Sequence, residues 1–367
     1  TPGNANATQW VDGKLLIPNG AKSPIEIQKF SLSVNQELVL IQTHSKKVWR
    51  YETMGDFYLF NIKKNQLQQL GKGLPAASLQ FAKISPNNEW VAYVSEHNIF
   101  SEDLISGNIK KLTVDGTRKM INGTFDWVYE EEFACRDGFR WSPDGKKIAF
   151  WQVNADGTKD FMMMDNTSGI YSKPIPVEYP KVGEAPSAVR VGVIDLATGK
   201  KTWMAVPGDQ RQHYIPRMEW AGNDEVIIQQ LNRKQNESRL YLANAGNGKG
   251  YYIHSEKDAA WIDILPSIDD DYNYGGWDWL DGGKSFLWVS EQDGWRHLYR
   301  MSRNGKESIL LTEGNFDVIE IAAVKEKEGY VYYYASPDNA TQKYLYRTKL
   351  NDSATPERIT PACPAVA

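Results

Sequence analysis

Short apolar runs alternate with polar turns along this chain, and the alternation recurs as a unit. The unit is a strand, a tight polar turn and a second apolar strand. Its clearest copy is Phe139-Arg-Trp-Ser-Pro143-Asp144-Gly145-Lys-Lys-Ile148-Ala-Phe-Trp151. Further copies span residues 30–40 and 81–93, with weaker ones at 218–228, 277–288 and 321–334. Pro-Asp-Gly and Asp-Gly-Gly are turn sequences for a physical reason: proline presets φ, and glycine supplies a positive φ. A third strand and often a fourth follow each hairpin. Residues 97–100 lead to 109–113, residues 191–195 to 201–203, and residues 297–300 to 308–312.

A four-stranded antiparallel meander repeated about six times, at spacings of roughly 45 to 80 residues, predicts an all-β chain. The expected architecture is a β-propeller of about six to seven blades, one domain over residues 1–367. A large β-sandwich is the alternative, but sandwiches do not repeat one hairpin formula along the chain. Two insertions break the rhythm. One is an acidic segment at about 115–138, read as helical; the other is an arm at about 157–188. Pro174 and Pro176 mark the arm as extended and exclude it from the middle of a sheet. Its Met162-Met163-Met164 and Tyr171 suit either a protein-contact surface or a loop folded back on its own blade.

Composition narrows the partners. The net charge is −4 over 367 residues and no basic stripe is present, which argues against nucleic acid and anionic membranes. No apolar run reaches the length that crosses a bilayer, and residues 1–6 have no charged n-region or apolar h-region of a signal peptide. Cys135 and Cys363 fit no metal or redox spacing and read as two unrelated thiols. Asn-x-Ser/Thr triplets at Asn122 and Asn236 are short enough to arise by chance. The 13 Trp and 19 Tyr suit large packed sheet surfaces.

The distinctive chemistry lies in Asp126-Trp127-Val128-Tyr129-Glu130-Glu131-Glu132-Phe133. Phe125, Trp127, Tyr129 and Phe133 pull three consecutive carboxylates against apolar surface, where charge must be compensated. Asp126 is placed to N-cap a short helix beginning at Trp127, and Glu130 then suits the positive end of the helix dipole. Glu131 and Glu132 diverge by about 100° around the helix yet can converge on one atom outside it. A primary ammonium suits such a pair. Ca²⁺ wants more oxygens, with spaced acids and a glycine turn. Zn²⁺ wants His or Cys, and the five histidines are scattered singly. Adjacent acids do not face each other across a sugar ring as a glycosidase pair does. No metal or cofactor site is expected. His213 and His254 read as structural. The chain has no Gly-x-Ser-x-Gly elbow, no phosphate loop and no His-Glu-x-x-His.

With these features together, the chain resembles the N-terminal propeller of the dipeptidyl peptidase IV family of serine exopeptidases, which are of prolyl oligopeptidase type. Asp-Trp-Val-Tyr-Glu-Glu-Glu just ahead of a Trp-Ser-Pro-Asp-Gly blade carries the likeness. Val48-Trp49-Arg50-Tyr51, the arm at 176–184 and Asp293-Gly-Trp-Arg-His-Leu-Tyr299 add to it. The resemblance implies that Glu131 and Glu132 clamp the free α-ammonium of a peptide substrate. Arg50 would pair with this acidic cluster and hold a substrate carbonyl.

It further implies eight blades, an α/β-hydrolase domain carrying the Ser-Asp-His triad, and a homodimer formed partly through the arm at about 157–188. The triad-bearing domain is missing from these 367 residues. The chain is therefore expected to be the substrate-gating part of an enzyme that releases Xaa-Pro and Xaa-Ala dipeptides, and to be inactive alone. The ends of the chain read as cut, and exported or cell-surface origin follows from the family. The alternative is a non-enzymatic propeller module or a pseudo-peptidase that keeps the motif without the chemistry.

Overall fold

The computed structural model describes residues 10–264, 277–352 and 355–361; Cys363 lies outside them. Each strand–turn–strand repeat becomes two adjacent strands of an antiparallel sheet, and one turn device serves several copies. At Ser142 the hydroxyl donates to Asp144 Oδ1 at 2.6 Å and accepts from Lys147 N at 2.9 Å, while Gly145 takes φ 70°. Ser85 repeats this with Asn87 Oδ1 at 2.6 Å and Trp90 N at 2.9 Å, and Ser33 with Asn35 Oδ1 at 2.7 Å and Leu38 N at 3.0 Å. The serine and the Asx residue thus close the turn through side chains, which fixes the register of the strands that leave it.

The sheets follow one another along the chain as the four-stranded antiparallel blades of a β-propeller. Three carry their strands in simple sequence: the sheets beginning at His213–Trp220, Trp279–Leu280 and Val318–Lys325. Another is built from Phe139–Trp141, Lys147–Asn154, Ala188–Asp195 and Lys201–Trp203, with Met120–Asn122 as a fifth strand. Asp160–Asp165 and Lys173–Glu178 leave this sheet as a separate two-stranded ribbon, with Met162 opposite Pro176 and Met164 opposite Pro174.

One feature departs from the repeat pattern. The first two repeats are joined into a single eight-stranded sheet, because Met54 pairs with Gln80 and Gly55 with Leu79. Leu38–Val48 and Tyr51–Asn61 are each eleven residues long, and Met54 and Gly55 in the outer half of the second pair with the next strand. The ribbon shifts register between Thr43 and Lys46. There a Cβ on Gly55 would lie 2.8 Å from Thr43 O, so only glycine fits.

The chain groups into two compact units. The first comprises residues 1–124, 141–148 and 194–200; the second comprises residues 125–140, 149–193 and 201–367. Within the first, Leu38, Leu40, Phe57, Leu59, Val91 and Tyr93 form one core. Within the second, Ile227, Leu240, Leu242, Phe286, Trp288 and Met301 pack one pair of successive sheets, and Leu287, Leu298, Val318, Val331 and Tyr333 pack the next.

A tryptophan in the first strand of a blade ties that blade to the preceding one. Trp141 Nε1 donates to Lys83 O at 3.1 Å in the first unit. In the second, Trp220 Nε1 donates to Arg140 O at 3.1 Å and Trp279 Nε1 to Trp220 O at 2.9 Å. A buried indole needs such an acceptor. Among the described residues no helix is long and apolar enough to cross a membrane.

Candidate functional site

The acidic segment folds as the helix Trp127–Phe133 in the second unit. Seven residues are too few for a helix to persist by propensity alone, so its surroundings hold it. Asp126 is the N-cap and accepts from Tyr129 N at 3.1 Å. Its other oxygen accepts from Ser187 Oγ at 2.6 Å. Asp126 is buried, and burial pushes its carboxyl above the ordinary aspartate range, opposed by the bonds from Ser187 and Tyr129. The helix stops because Ala134 takes the left-handed conformation, φ 53° and ψ 27°. Cys135 follows, its thiol donating to Pro216 O at 3.3 Å.

An aromatic cage fixes the helix axis. Tyr129 stacks on Phe125 with ring centroids 5.5 Å apart and tilts against Phe133 at 5.5 Å; Phe133 meets Tyr214 at 5.2 Å. Tyr129 Oη accepts from Ile215 N at 3.0 Å, and burial holds its hydroxyl well above the usual range. Trp127 rests on Tyr179 at 4.4 Å, which links the helix to the foot of the ribbon.

Rotation about this fixed axis then separates the three glutamates. Glu130 is buried, Glu131 is half-buried and Glu132 is exposed. Glu132 lies close enough to Tyr214 to help raise its phenol, after burial, while Arg233 opposes the shift from 5.7 Å off the ring. Two successive carboxylates of this helix are thus at least partly open to solvent, and Glu132 has Tyr214 nearby, with Arg233 over the Tyr214 ring. Such a pair can accept several N–H bonds from one cationic nitrogen.

Arg50 belongs to the first unit. It and Trp49 form the two-residue turn of the long ribbon, between Val48 and Tyr51, which pair across it. Trp49 takes φ 54° and both turn residues are exposed. The structure thus gathers Glu131 and Glu132 on one helix and sets Arg50 on a separate element of the other unit.

Ser187, Tyr179 and Arg233 escape the sequence reading. They lie 61 or fewer residues from Asp126 in the first two cases, and no local pattern marks a residue that meets the helix only after the chain has returned. His213 is buried and His97 half-buried, and desolvation lowers both imidazoles below the usual range. Among the described residues no group of three or more His, Cys, Asp or Glu side chains converges as a metal site.

A family model described as "Dipeptidyl peptidase IV (DPP IV) N-terminal region" matches residues 33–364. A probable dipeptidyl peptidase 4 of Emericella nidulans is 27% identical over 340 residues, covering 89% of this chain and 43% of that protein. A probable dipeptidyl-aminopeptidase B of Talaromyces stipitatus is 28% identical over 375 residues, covering 95% of this chain and 41% of its own length. The crystal structure of Porphyromonas gingivalis dipeptidyl peptidase 4 superposes with a TM-score of 0.83 at 24% identity, over 92% of this chain and 46% of that one. At this identity the structural likeness is one of fold. The chain spans less than half the length of each of these three proteins.

Proposed function

The chain belongs to the dipeptidyl peptidase IV family through its N-terminal region, and from that premise we propose that it selects peptides by their free N-terminus. The whole protein would be a serine-type exopeptidase that releases Xaa-Pro or Xaa-Ala dipeptides. Glu131 and Glu132 would receive the α-ammonium of the substrate, and Arg50 would hold a carbonyl of the same peptide. What supports this reading most is the rotation of the helix. It buries Asp126, the helix cap, together with Glu130, and leaves Glu131 half-buried and Glu132 exposed.

An ammonium between two carboxylates is recognised by charge and by direction at once. Acetylation of the substrate removes the charge and two of the donors, so a blocked peptide would lose its anchor. The pair would also fix the distance from the N-terminus to the bond that is cut, because one end of the peptide is pinned to a rigid element.

The test uses the whole protein and an Xaa-Pro chromogenic substrate. Glu131→Ala and Glu132→Ala are each expected to lower kcat/KM by about a hundredfold or more, the scale of a lost charge-assisted contact, with thermal unfolding unchanged. Both variants retaining wild-type kcat/KM would remove the reading.

The ribbon at 157–188 we read as a contact surface for a second copy. Phe161, Met162, Met163, Met164 and Ile175 are all exposed along its two strands, an apolar area that water disfavours. Sedimentation of the whole protein as a monomer would end that reading.

A further inference from the structure

A cavity of about 250 Å³ lies in the second unit, among residues that the ammonium clamp does not use. That is slightly below the roughly 300–1,000 Å³ of drug-sized sites, and it leaves room for one small ring.

Part of its lining is an open indole. Trp261 is 63% exposed, yet the backbone that carries it is held on both sides. Ala260 N and Trp261 N donate to Asp258 Oδ1 at 2.6 and 3.1 Å, and Ile262 N donates to Gln235 O at 2.7 Å. A large apolar ring left open on a hydrogen-bonded turn offers a flat platform to a ligand.

The rest of the lining is polar, and its charges are engaged with one another. Arg296 contacts Asp263 and lies 3.3 Å from Glu291. Asp263 also acts on the buried guanidinium of Arg217. Lys257 reaches Glu237 at 3.5 Å, and Glu256 accepts from Trp288 Nε1 at 2.7 Å. With Asp258 included, four carboxylates and three cations line the cavity. Gln229, the cross-strand neighbour of Arg217, is 3% exposed. Its Nε2 donates to Ser238 Oγ at 3.0 Å, while its Oε1 has no hydrogen-bond partner among the described residues. A buried amide oxygen left in this state is an acceptor with unmet demand.

This lining suits a neutral ligand. An anion would meet an excess of carboxylates. A compact cation would meet three fixed positive groups, and among the described residues no three acids, histidines or cysteines converge to cage one. Paired carboxylates keep spare lone pairs, and paired guanidinium groups keep spare N–H bonds, so each can still serve a hydroxyl that both donates and accepts.

We propose that this cavity binds a neutral sugar ring, its hydroxyls received by the carboxylates, the arginines and Gln229, and its C–H face laid on Trp261. A pyranose has a polar rim and an apolar face, which is the division that the lining presents. The excess of acceptors over cations fits a ligand that mostly donates.

Saturation-transfer NMR on the whole protein, with the methyl glycosides of glucose, galactose and mannose, tests this. At least one should bind saturably with a Kd of about 1–10 mM, the scale for a small ligand of ordinary efficiency. Trp261→Ala, at an exposed position, should weaken that binding about tenfold. Glu291→Gln, also exposed, should weaken it by about threefold, the scale of one modest hydrogen bond. Glucuronate, which adds a carboxylate to the ring, should bind about fivefold more weakly than the glucoside. A blocked glycopeptide carrying N-acetylglucosamine, compared with methyl N-acetylglucosaminide, separates two sources of the ring. Tighter binding of the glycopeptide would assign the site to glycans on peptides, and the reverse to free sugars; either upholds the proposal. Absence of saturation by every sugar, no effect of either substitution, or tighter binding of N-acetylleucinamide than of any sugar would overturn it.

Discussion

The turn that bears Arg50 and the helix that bears Glu131 and Glu132 are built by opposite means. Trp49 and Arg50 cap two eleven-residue strands, are exposed, and depend on one positive φ at Trp49 and on the twist of the ribbon beneath them. The helix owes little to its own seven residues. It is set by the Asp126 cap, the Ser187 tie, the hydroxyl of Tyr129 on Ile215 and the rings of Phe125, Phe133 and Tyr214. A group on the first carrier can adjust to what it meets. The second carrier is packed on several sides, which would suit a contact that must measure position.

That contrast can be broken from the helix side with the largest effect. Phe133→Ala empties a site that is 4% exposed inside the cage. It should cost about 3–5 kcal/mol of stability, the usual scale for a buried phenylalanine, read as a lowered midpoint in denaturant. Asp126→Ala removes both the cap and the acceptor for Ser187. A loss of about 1–2 kcal/mol is expected, with the activity of the whole protein falling beyond what stability explains, because Glu131 and Glu132 lose their orientation.

Arg50→Ala probes the other carrier. Its unfolding midpoint should match the parent's, since the turn is exposed, while kcat/KM for Xaa-Pro substrates drops about tenfold. A substantial fall in stability would show that the turn is as tightly held as the helix.

The smallest effect is a pH dependence. The carboxyl of Asp126 is raised by burial in the folded chain. Its contribution to stability is therefore fully present below the unfolded aspartate range and is lost as pH rises through the folded value. Asp126→Asn keeps an acceptor for Tyr129 N and carries no charge. Its stability relative to the parent should rise with pH above about 4. A flat difference between the two denaturation series across that range would show that the buried charge is fully compensated.

Much of the fold is legible in the chain itself. Ser-Pro-Asp-Gly and Ser-Pro-Asn-Asn announce turns whose side-chain closure the structure displays, and the strands that leave them carry the core residues Val91 and Ile148. The cap at Asp126 is legible for the same reason: one acid immediately before an aromatic helical turn satisfies a local backbone donor. Less was legible where partners lie far apart in sequence. Nothing in residues 38–61 says that Gly55 will pair with Leu79, or that two repeats will share one sheet. Arg217 and Gln229 sit in two ordinary strands, and only the register across them, shifted by a bulge, sets a guanidinium beside an amide at a cavity.

The periodicity, the turns, the helix start and the three consecutive acids are written along the chain, because each depends on neighbours within a few residues. How those acids differ follows from the folded chain. Burial depends on the rotation of a short helix about its axis. That rotation is set by Ser187, Tyr179, Tyr214 and Ile215, residues brought back to the helix by strands that return from 50 to 90 positions away. Carboxylates identical in sequence thus become one buried, one half-buried and one exposed group, because desolvation is a property of place in the fold.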